Sequence, residues 1–493
     1  MKNNSVIKPI TAFITAALFI AFCLDLSVWS VGDASYLFLI ICTLAVVVAF
    51  RKNLPSSAVF YTMLAGMFLK LTYVIYTPVW CRQHDVIDFG AGEGHAAYME
   101  YILSHKALPD FDPREVWAFF QPPLHHAVSA VWMWLGIRMH LSEEHIHKNV
   151  QILPLMYMCL LMFVVYLICR ELNMRRGGMF VTMLIVSFNP IYILMSGSIN
   201  NDALSILLTV TALYFSIRWY MEPTNVRILL LALSIGLAMS AKLSSALVAI
   251  PIGIMMIYKI WTDTGHLKDR PKFISYCLEL VPFAVVVFPL GLWWSIRNKI
   301  LFDMPPGYIP EVGEQVSTGF VSSILDVRTA SPFLYMKSNG FSYDEYNLIL
   351  AMLKSSLFGE GDFAKGPMAV TAAGWVLFFG AIIVTAFELA GAIRICSDKK
   401  AGPDAGIKIL LSVTAVSYVC GYAVFALKGA NLSAMDFRYS AAAVSALALF
   451  AGFWYDRLSV RDKKPLYTAV MSSSILFAAA SALFYILVGV FAL

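Results

Sequence analysis

Titratable side chains crowd into one short stretch of an otherwise apolar chain. Residues 81–98 read Cys81-Arg82-Gln83-His84-Asp85-Val86-Ile87-Asp88-Phe89-Gly90-Ala91-Gly92-Glu93-Gly94-His95-Ala96-Ala97-Tyr98. A carboxylate held near an acceptor hydroxyl can take its proton as a general base. Asp85 is the leading candidate for that role, and Glu93 and Asp88 stand close enough in sequence to share it. The same three carboxylates offer hard oxygen ligands to Mg²⁺ or Mn²⁺. His84, His95 and Tyr98 would line the cavity around them. Glycines and aromatics interleave the charges, which argues against a merely solvated loop.

Further polar groups recur at the ends of apolar runs. Gln121 precedes a Pro122-Pro123 turn that suits the start of a helix. Asn201 and Asp202 open another helix, where Asp202 is either an N-cap or a second polar wall facing the first cluster. Lys242, Arg297 and Arg438, the last beside Tyr439, are cations at the edge of apolar segments. A cation at that depth is expensive without a partner. A lipid phosphate is one partner, and arginine can clamp it bidentately. Snorkelling to headgroups is the alternative.

These residues must be held by a membrane-embedded frame. Of 493 residues, 59% are hydrophobic and 14% charged, with a mean hydropathy of +0.73. Soluble domains carry roughly 25% charged residues, so a soluble enzyme and a disordered chain are excluded. About thirteen runs are long enough to cross a bilayer as helix. They lie near 9–30, 35–50, 56–77, 150–169, 179–195, 203–219, 226–241, 243–260, 275–296, 368–394, 406–427, 438–455 and 466–491. With the N-terminus in the cytoplasm as a signal anchor, most Lys and Arg fall in short inner loops, as positive-inside placement requires. The C-terminus is then outside. So are two long segments, 78–149 and 297–367, whose aromatics and prolines predict folded loops. The stretch 122–139 predicts an amphipathic interfacial helix with His125, His126 and Arg138 towards water. Eight cysteines form no CxxC pair and no disulfide or zinc framework. No phosphate-cradling glycine motif is present, so a nucleotide-driven motor is unsupported. The net charge of +5 calls for no nucleic-acid partner.

The pattern resembles the GT-C superfamily of integral-membrane glycosyltransferases, in particular its bacterial protein O-mannosyltransferase-like and aminoarabinose-transferase-like members. Four features carry the resemblance: Arg82-Gln83-His84-Asp85 with Gly94-His95-Ala96-Ala97-Tyr98, then Gln121-Pro122-Pro123-Leu124, Asn201-Asp202, and Asp436-Phe437-Arg438-Tyr439. It implies an all-α polytopic membrane protein of about thirteen transmembrane helices with two long folded outer loops. Residues 1–55 would be an added N-terminal hairpin. Residues 56–455 would be the catalytic core, and 456–493 a cytoplasmic loop and last helix. The activity implied is inverting transfer of a sugar from a polyprenyl-phosphate donor to a protein, glycan or lipid acceptor at the outer face of the cell membrane. Asp85 would be the base. Arg438 would hold the donor phosphate, with Arg297 or Lys242 helping. The adjacent Asp-Glu pair of many relatives is absent, which keeps Asp88 and Glu93 in play, and some members need no metal. The alternative is a transporter or flippase of a lipid-linked saccharide, although no internal repeat or matching pair of broken spans supports it.

Overall fold

The computed structural model describes residues 57–310, 321–325, 333 and 347–493, apart from Arg82, His84, Asp362, Lys365, Ala430, Asn431 and Asp462. The expected hairpin 1–55 and the candidate site residue His84 lie outside the described residues. Helices follow one another as α1 (Ser57–Tyr76), α2 (Gly94–His105), α3 (Leu124–Arg138), α4 (Glu143–Asn149), α5 (Ile152–Glu171), α6 (Arg176–Phe188), α7 (Pro190–Leu194), α8 (Asp202–Met221) and α9 (Asn225–Ala241). A 3₁₀ segment, Leu243–Val248, leads into α10 (Ala249–Asp263) and α11 (Arg270–Phe302). Then come α12 (Ser322–Leu325), α13 (Leu348–Phe358), α14 (Met368–Ser397), α15 (Ala405–Gly429), two 3₁₀ turns (Leu432–Met435 and Phe437–Ser440), α16 (Ala441–Val460) and α17 (Lys464–Val490).

The protein is a multi-pass membrane protein. Among the described residues nine helices are long and apolar enough to cross a bilayer. α5 and α16 are buried along most of their length, whereas α11 leaves Leu278, Val281, Val285 and Phe288 exposed. That exposed apolar surface suits lipid rather than water. α6 crosses α16 where Gly178 meets Gly452, since two glycines let the backbones approach closely. The Asp456 carboxylate then accepts the backbone N–H groups of Arg175 (2.9 Å) and Gly178 (2.8 Å), which α6 cannot satisfy itself.

The apolar run 179–195, expected as one span, is broken. Pro190 cannot continue the helical hydrogen bonding, and the Asn189 side chain takes the Ile191 N–H. The helix therefore leaves the Ser187 and Phe188 carbonyls without helical partners. Within a bilayer such groups need partners from neighbouring helices. Lys70 of α1 donates to Ser187 O at 2.7 Å, and Ser481 of α17 donates to Phe188 O at 2.7 Å. α1 reaches the break because Gly66 has no side chain: a Cβ there would sit 2.6 Å from Ser187 Cβ. The break aims α7 and the following loop, 196–201, at the polar end of the molecule.

The stretch 122–139 contains the predicted helix, α3, but with its faces reversed. His125 and His126 are fully buried, while Val128, Val131, Trp134, Leu135 and Ile137 are exposed. Arg138 is exposed as expected, lying over the Trp134 ring. The expectation failed because it assumed a water-facing polar side. Here the polar partners, the Ile199 carbonyl and His95, are inside the protein, and the apolar face is the one left exposed. In the second long segment, α13 braces the turn that carries Arg438. Ser355 Oγ accepts the Phe437 N–H (2.9 Å), and Tyr422 Oη donates to Leu348 O (3.2 Å).

Candidate active site

Asp85 is fixed through its backbone. The first N–H groups of α2 have no helical acceptor, and the carbonyls of Asp85 and Val86 fill that need at His95 (3.2 Å) and Ala96 (3.2 Å). Gly94 makes this docking possible. Its φ is +86°, and a Cβ would collide with the Val86 carbonyl. Gln83 ties the same turn to the loop before α8. Its Nε2 donates to Val79 O (3.0 Å) and Gly197 O (3.2 Å), and its Oε1 accepts Ser198 Oγ (2.9 Å) and Ile199 N (3.0 Å). Lys148 donates to the Val74 and Thr77 carbonyls at the end of α1 and to Gln151 Oε1. Gln151 in turn donates to Gly197 O at 2.8 Å.

The result is a buried charge cluster. Arg438 Nη1 lies 2.9 Å from Asp85 Oδ2, and its Nε lies 3.5 Å from both Asp202 Oδ2 and Asp436 Oδ2. Lys242 Nζ is 2.5 Å from Asp202 Oδ1 and stands over the Tyr439 ring. Asp202 is thus a wall of the site rather than an N-cap. Asn200 Oδ1 accepts the Asp202 N–H instead, and Asn201 donates to Ala241 O at 2.8 Å. Three carboxylates face two cations, which leaves one net negative charge if all are ionised.

Behind Asp85 stands a stack of rings. His95 Nε2 is 3.6 Å from Asp85 Oδ2, and His95 Nδ1 is 2.8 Å from His126 Nε2. Tyr98 stacks on His126 (4.3 Å) and on Phe119 (4.4 Å). Burial holds the His126 imidazole well below its usual pKa, with His95 and His125 adding to the effect, and pushes the Tyr98 phenol up. Burial also lowers His125 to about 4, although its bond to Ile199 O (2.7 Å) favours the charged form.

A cavity of about 700 Å³ opens in front of this cluster. Asp85, His95, Gln121, Asn201, Asp202, Lys242, Arg438 and Tyr439 all line it. One limb is apolar and runs between α8, the 243–248 segment and α15, past Ile206, Leu243, Leu247, Tyr418 and Gly421. Aromatic side chains of Trp117, Phe120 and Tyr308 close the other side. Lys428 stands at the rim, exposed and without a carboxylate partner among the described residues.

Several expected site residues are not brought together with these. Asp88 and Glu93 are exposed on the loop and do not line the cavity. Asp88 Oδ1 accepts its neighbour's N–H at Phe89. Arg297 is turned away from the cavity. It stacks on Trp294 and donates to Pro109 O and Asn298 Oδ1. Tyr98 is buried behind His126 rather than at the wall. Among the described residues no three His, Cys, Asp or Glu side chains are grouped so that they could hold a metal ion. The set Asp85, Asp88 and Glu93 therefore does not fit Mg²⁺ or Mn²⁺: one member is buried against arginine and two are in solvent. Gln83 and Lys428 were not singled out from the sequence. For Lys428 the available signal was a cation at the end of an apolar run.

The family profile of dolichyl-phosphate-mannose-protein mannosyltransferase matches residues 132–298. No curated protein matches the chain. Among solved structures, the chain is similar to the Archaeoglobus fulgidus oligosaccharyltransferase AglB in complex with an inhibitory peptide and a dolichol-phosphate. The identity is 13% and the TM-score 0.50, over 90% of this chain and 56% of that one. It is similar also to ArnT from Cupriavidus metallidurans, at 13% identity and a TM-score of 0.50 over 89% of this chain and 78% of that one. The chain has the GT-C fold. It spans about half the length of the archaeal oligosaccharyltransferase chains it matches. In a GT-C frame, the cavity and its charge cluster occupy the loops at one end of the helices. The arginines Arg170, Arg175, Arg176, Arg218, Arg227 and Arg457 gather at the helix ends opposite.

Proposed function

We propose that the protein is a glycosyltransferase that moves a sugar from a polyprenyl-phosphate donor to an acceptor hydroxyl, with the cavity on the outer face of the cell membrane. The observation that carries this reading is a buried carboxylate, Asp85, opening on a cavity whose other limb is apolar and bounded by membrane helices. A lipid chain would lie in the apolar limb and its headgroup beside the carboxylate. The arginine-rich opposite end supports the side assignment, since basic residues favour the cytoplasm. The AglB structure, which holds a dolichol-phosphate and a peptide, supports a lipid-phosphate donor by likeness of fold.

In this mechanism Asp85 takes the proton of the acceptor hydroxyl. The hydroxyl oxygen bonds to the anomeric carbon from the face opposite the phosphate. The carbon–oxygen bond to phosphate breaks, its electron pair leaves with the phosphate, and the configuration inverts. Arg438 Nη1, 2.9 Å from Oδ2, holds the Asp85 carboxylate in place. Because three carboxylates already surround Arg438, the leaving phosphate is better met by Lys428, which has no carboxylate partner among the described residues, with Lys242, held by Asp202, beside it. Transfer of labelled sugar from polyprenyl-phosphate donors in proteoliposomes tests this reading. Asp85→Asn is expected to abolish transfer while donor binding survives. Lipid movement between leaflets without transfer in the wild type would replace the enzyme with a flippase.

A further inference from the structure

We infer that His126 is a positioning residue: through the His126–His95 hydrogen bond it turns the Nε2–H of His95 onto Asp85, and so sets the orientation of the base. The inference rests on the proposed role of Asp85. Its observations do not, because they are a line of three buried side chains. His95 Nε2 lies 3.6 Å from Asp85 Oδ2, His95 Nδ1 lies 2.8 Å from His126 Nε2, and the two imidazole planes are parallel within 1°. His126 does not line the cavity, so it reaches the reaction only through His95.

The hydrogens can be placed by elimination. A single hydrogen lies between His95 Nδ1 and His126 Nε2. If His126 supplies it, His95 Nδ1 is the acceptor, and a neutral His95 must carry its own hydrogen on Nε2, facing Asp85. If His95 supplies it, His95 Nε2 either is bare or also carries a hydrogen. A bare Nε2 would aim a lone pair at a carboxylate oxygen in a buried site, which is unfavourable. A second hydrogen makes His95 an imidazolium paired with Asp85. Both acceptable placements therefore put a hydrogen on His95 Nε2. The Pro122 carbonyl stands near His126 Nδ1 without hydrogen-bond alignment, so it does not decide between them. Tyr98 and Phe119 stack behind His126 and keep its ring in plane. The consequence is a carboxylate held by Arg438 Nη1 from one element and His95 Nε2 from another.

The test uses the full chain in nanodiscs with ¹⁵N-labelled histidine. Signals are assigned by their loss in His95→Gln and His126→Phe. The expected result is a protonated Nε2 on His95 that shifts when Asp85 is changed to Asn. A bare Nε2 on His95, or no shift in Asp85→Asn, overturns the inference, and neither depends on sugar transfer. In the transfer assay, His126→Phe keeps the ring stack but loses the hydrogen bond. It is expected to lower kcat about ten- to hundredfold, the scale of a misplaced catalytic group, with KM for the donor unchanged. His126→Asn, which retains an N–H, recovers part of that loss. Wild-type kcat in a monodisperse His126→Phe protein with unchanged thermal stability overturns the positioning role. Absence of transfer in the wild type would count against the glycosyltransferase reading alone, since the ¹⁵N spectra still decide the hydrogen placement.

Discussion

At the scale of single residues, the site separates cations that hold the protein together from cations open to a ligand. Arg438 is buried against Asp85, Asp202 and Asp436. Removing one partner from a buried ion network leaves uncompensated charge and costs about 3–5 kcal/mol. Arg438→Met is therefore expected to lower thermal stability strongly, as read by a melting scan in detergent. Lys428 is exposed at the cavity rim. Lys428→Met is expected to leave melting unchanged and to raise KM for a polyprenyl-phosphate donor severalfold, the loss of one phosphate contact of about 1 kcal/mol. An unchanged KM would remove Lys428 from the donor site. Both residues are cations at the edge of apolar runs, and that position alone does not tell a structural cation from an open one. Their difference lies in which acids the folded chain places nearby.

At the scale of elements, the break between α6 and α7 shows how one span is shaped to serve the site. The Ser187 carbonyl has no helical donor, and the Lys70 ammonium fills that place from α1. Lys70→Met keeps the side chain's length but leaves the carbonyl unpaired. An unmade hydrogen bond at a buried group costs about 1–3 kcal/mol, so a lowered melting temperature is expected. A melting temperature equal to wild type would show that another donor replaces Lys70. The apolar run itself was legible in the sequence because its hydrophobicity is continuous, although α6 is shorter than the nine helices long enough to cross a bilayer. The break was not, because its partners lie 117 and 293 residues away. The same holds for α3. Its existence and bounds followed from Pro122, Pro123 and the apolar run, but its orientation did not. Periodicity marks two faces of a helix and does not say which is inside. Asp85 stood out within a cluster of titratable residues, and Asp202 and Arg438 as charges at the ends of apolar runs. Gln83, three of whose four hydrogen bonds cross to the loop before α8, is an uncharged residue in a charged stretch and carried no such mark.

At the scale of the whole molecule, charge is unevenly placed. Arginines gather at one end of the bundle, and buried imidazoles and carboxylates at the other, so acid acts first on the cavity end. His125 has its pKa lowered from 6.5 to about 4 by burial, and burial pushes His126 down as well. A base with a depressed folded pKa contributes stability that is fully present above its unfolded pKa and is lost as pH falls through the folded one. For His125 that window runs from 6.5 to about 4, and full loss amounts to about 3 kcal/mol at 1.36 kcal/mol per pKa unit. The membrane spans have no such reason to loosen over that range. The melting temperature of the cavity end is thus expected to fall steadily below pH 6.5. His125→Gln removes the titrating group and keeps an N–H for the Ile199 carbonyl, so it should flatten that fall. If the variant and the wild type lose stability in parallel, the acid sensitivity comes from a group other than His125, such as His126, which burial also depresses.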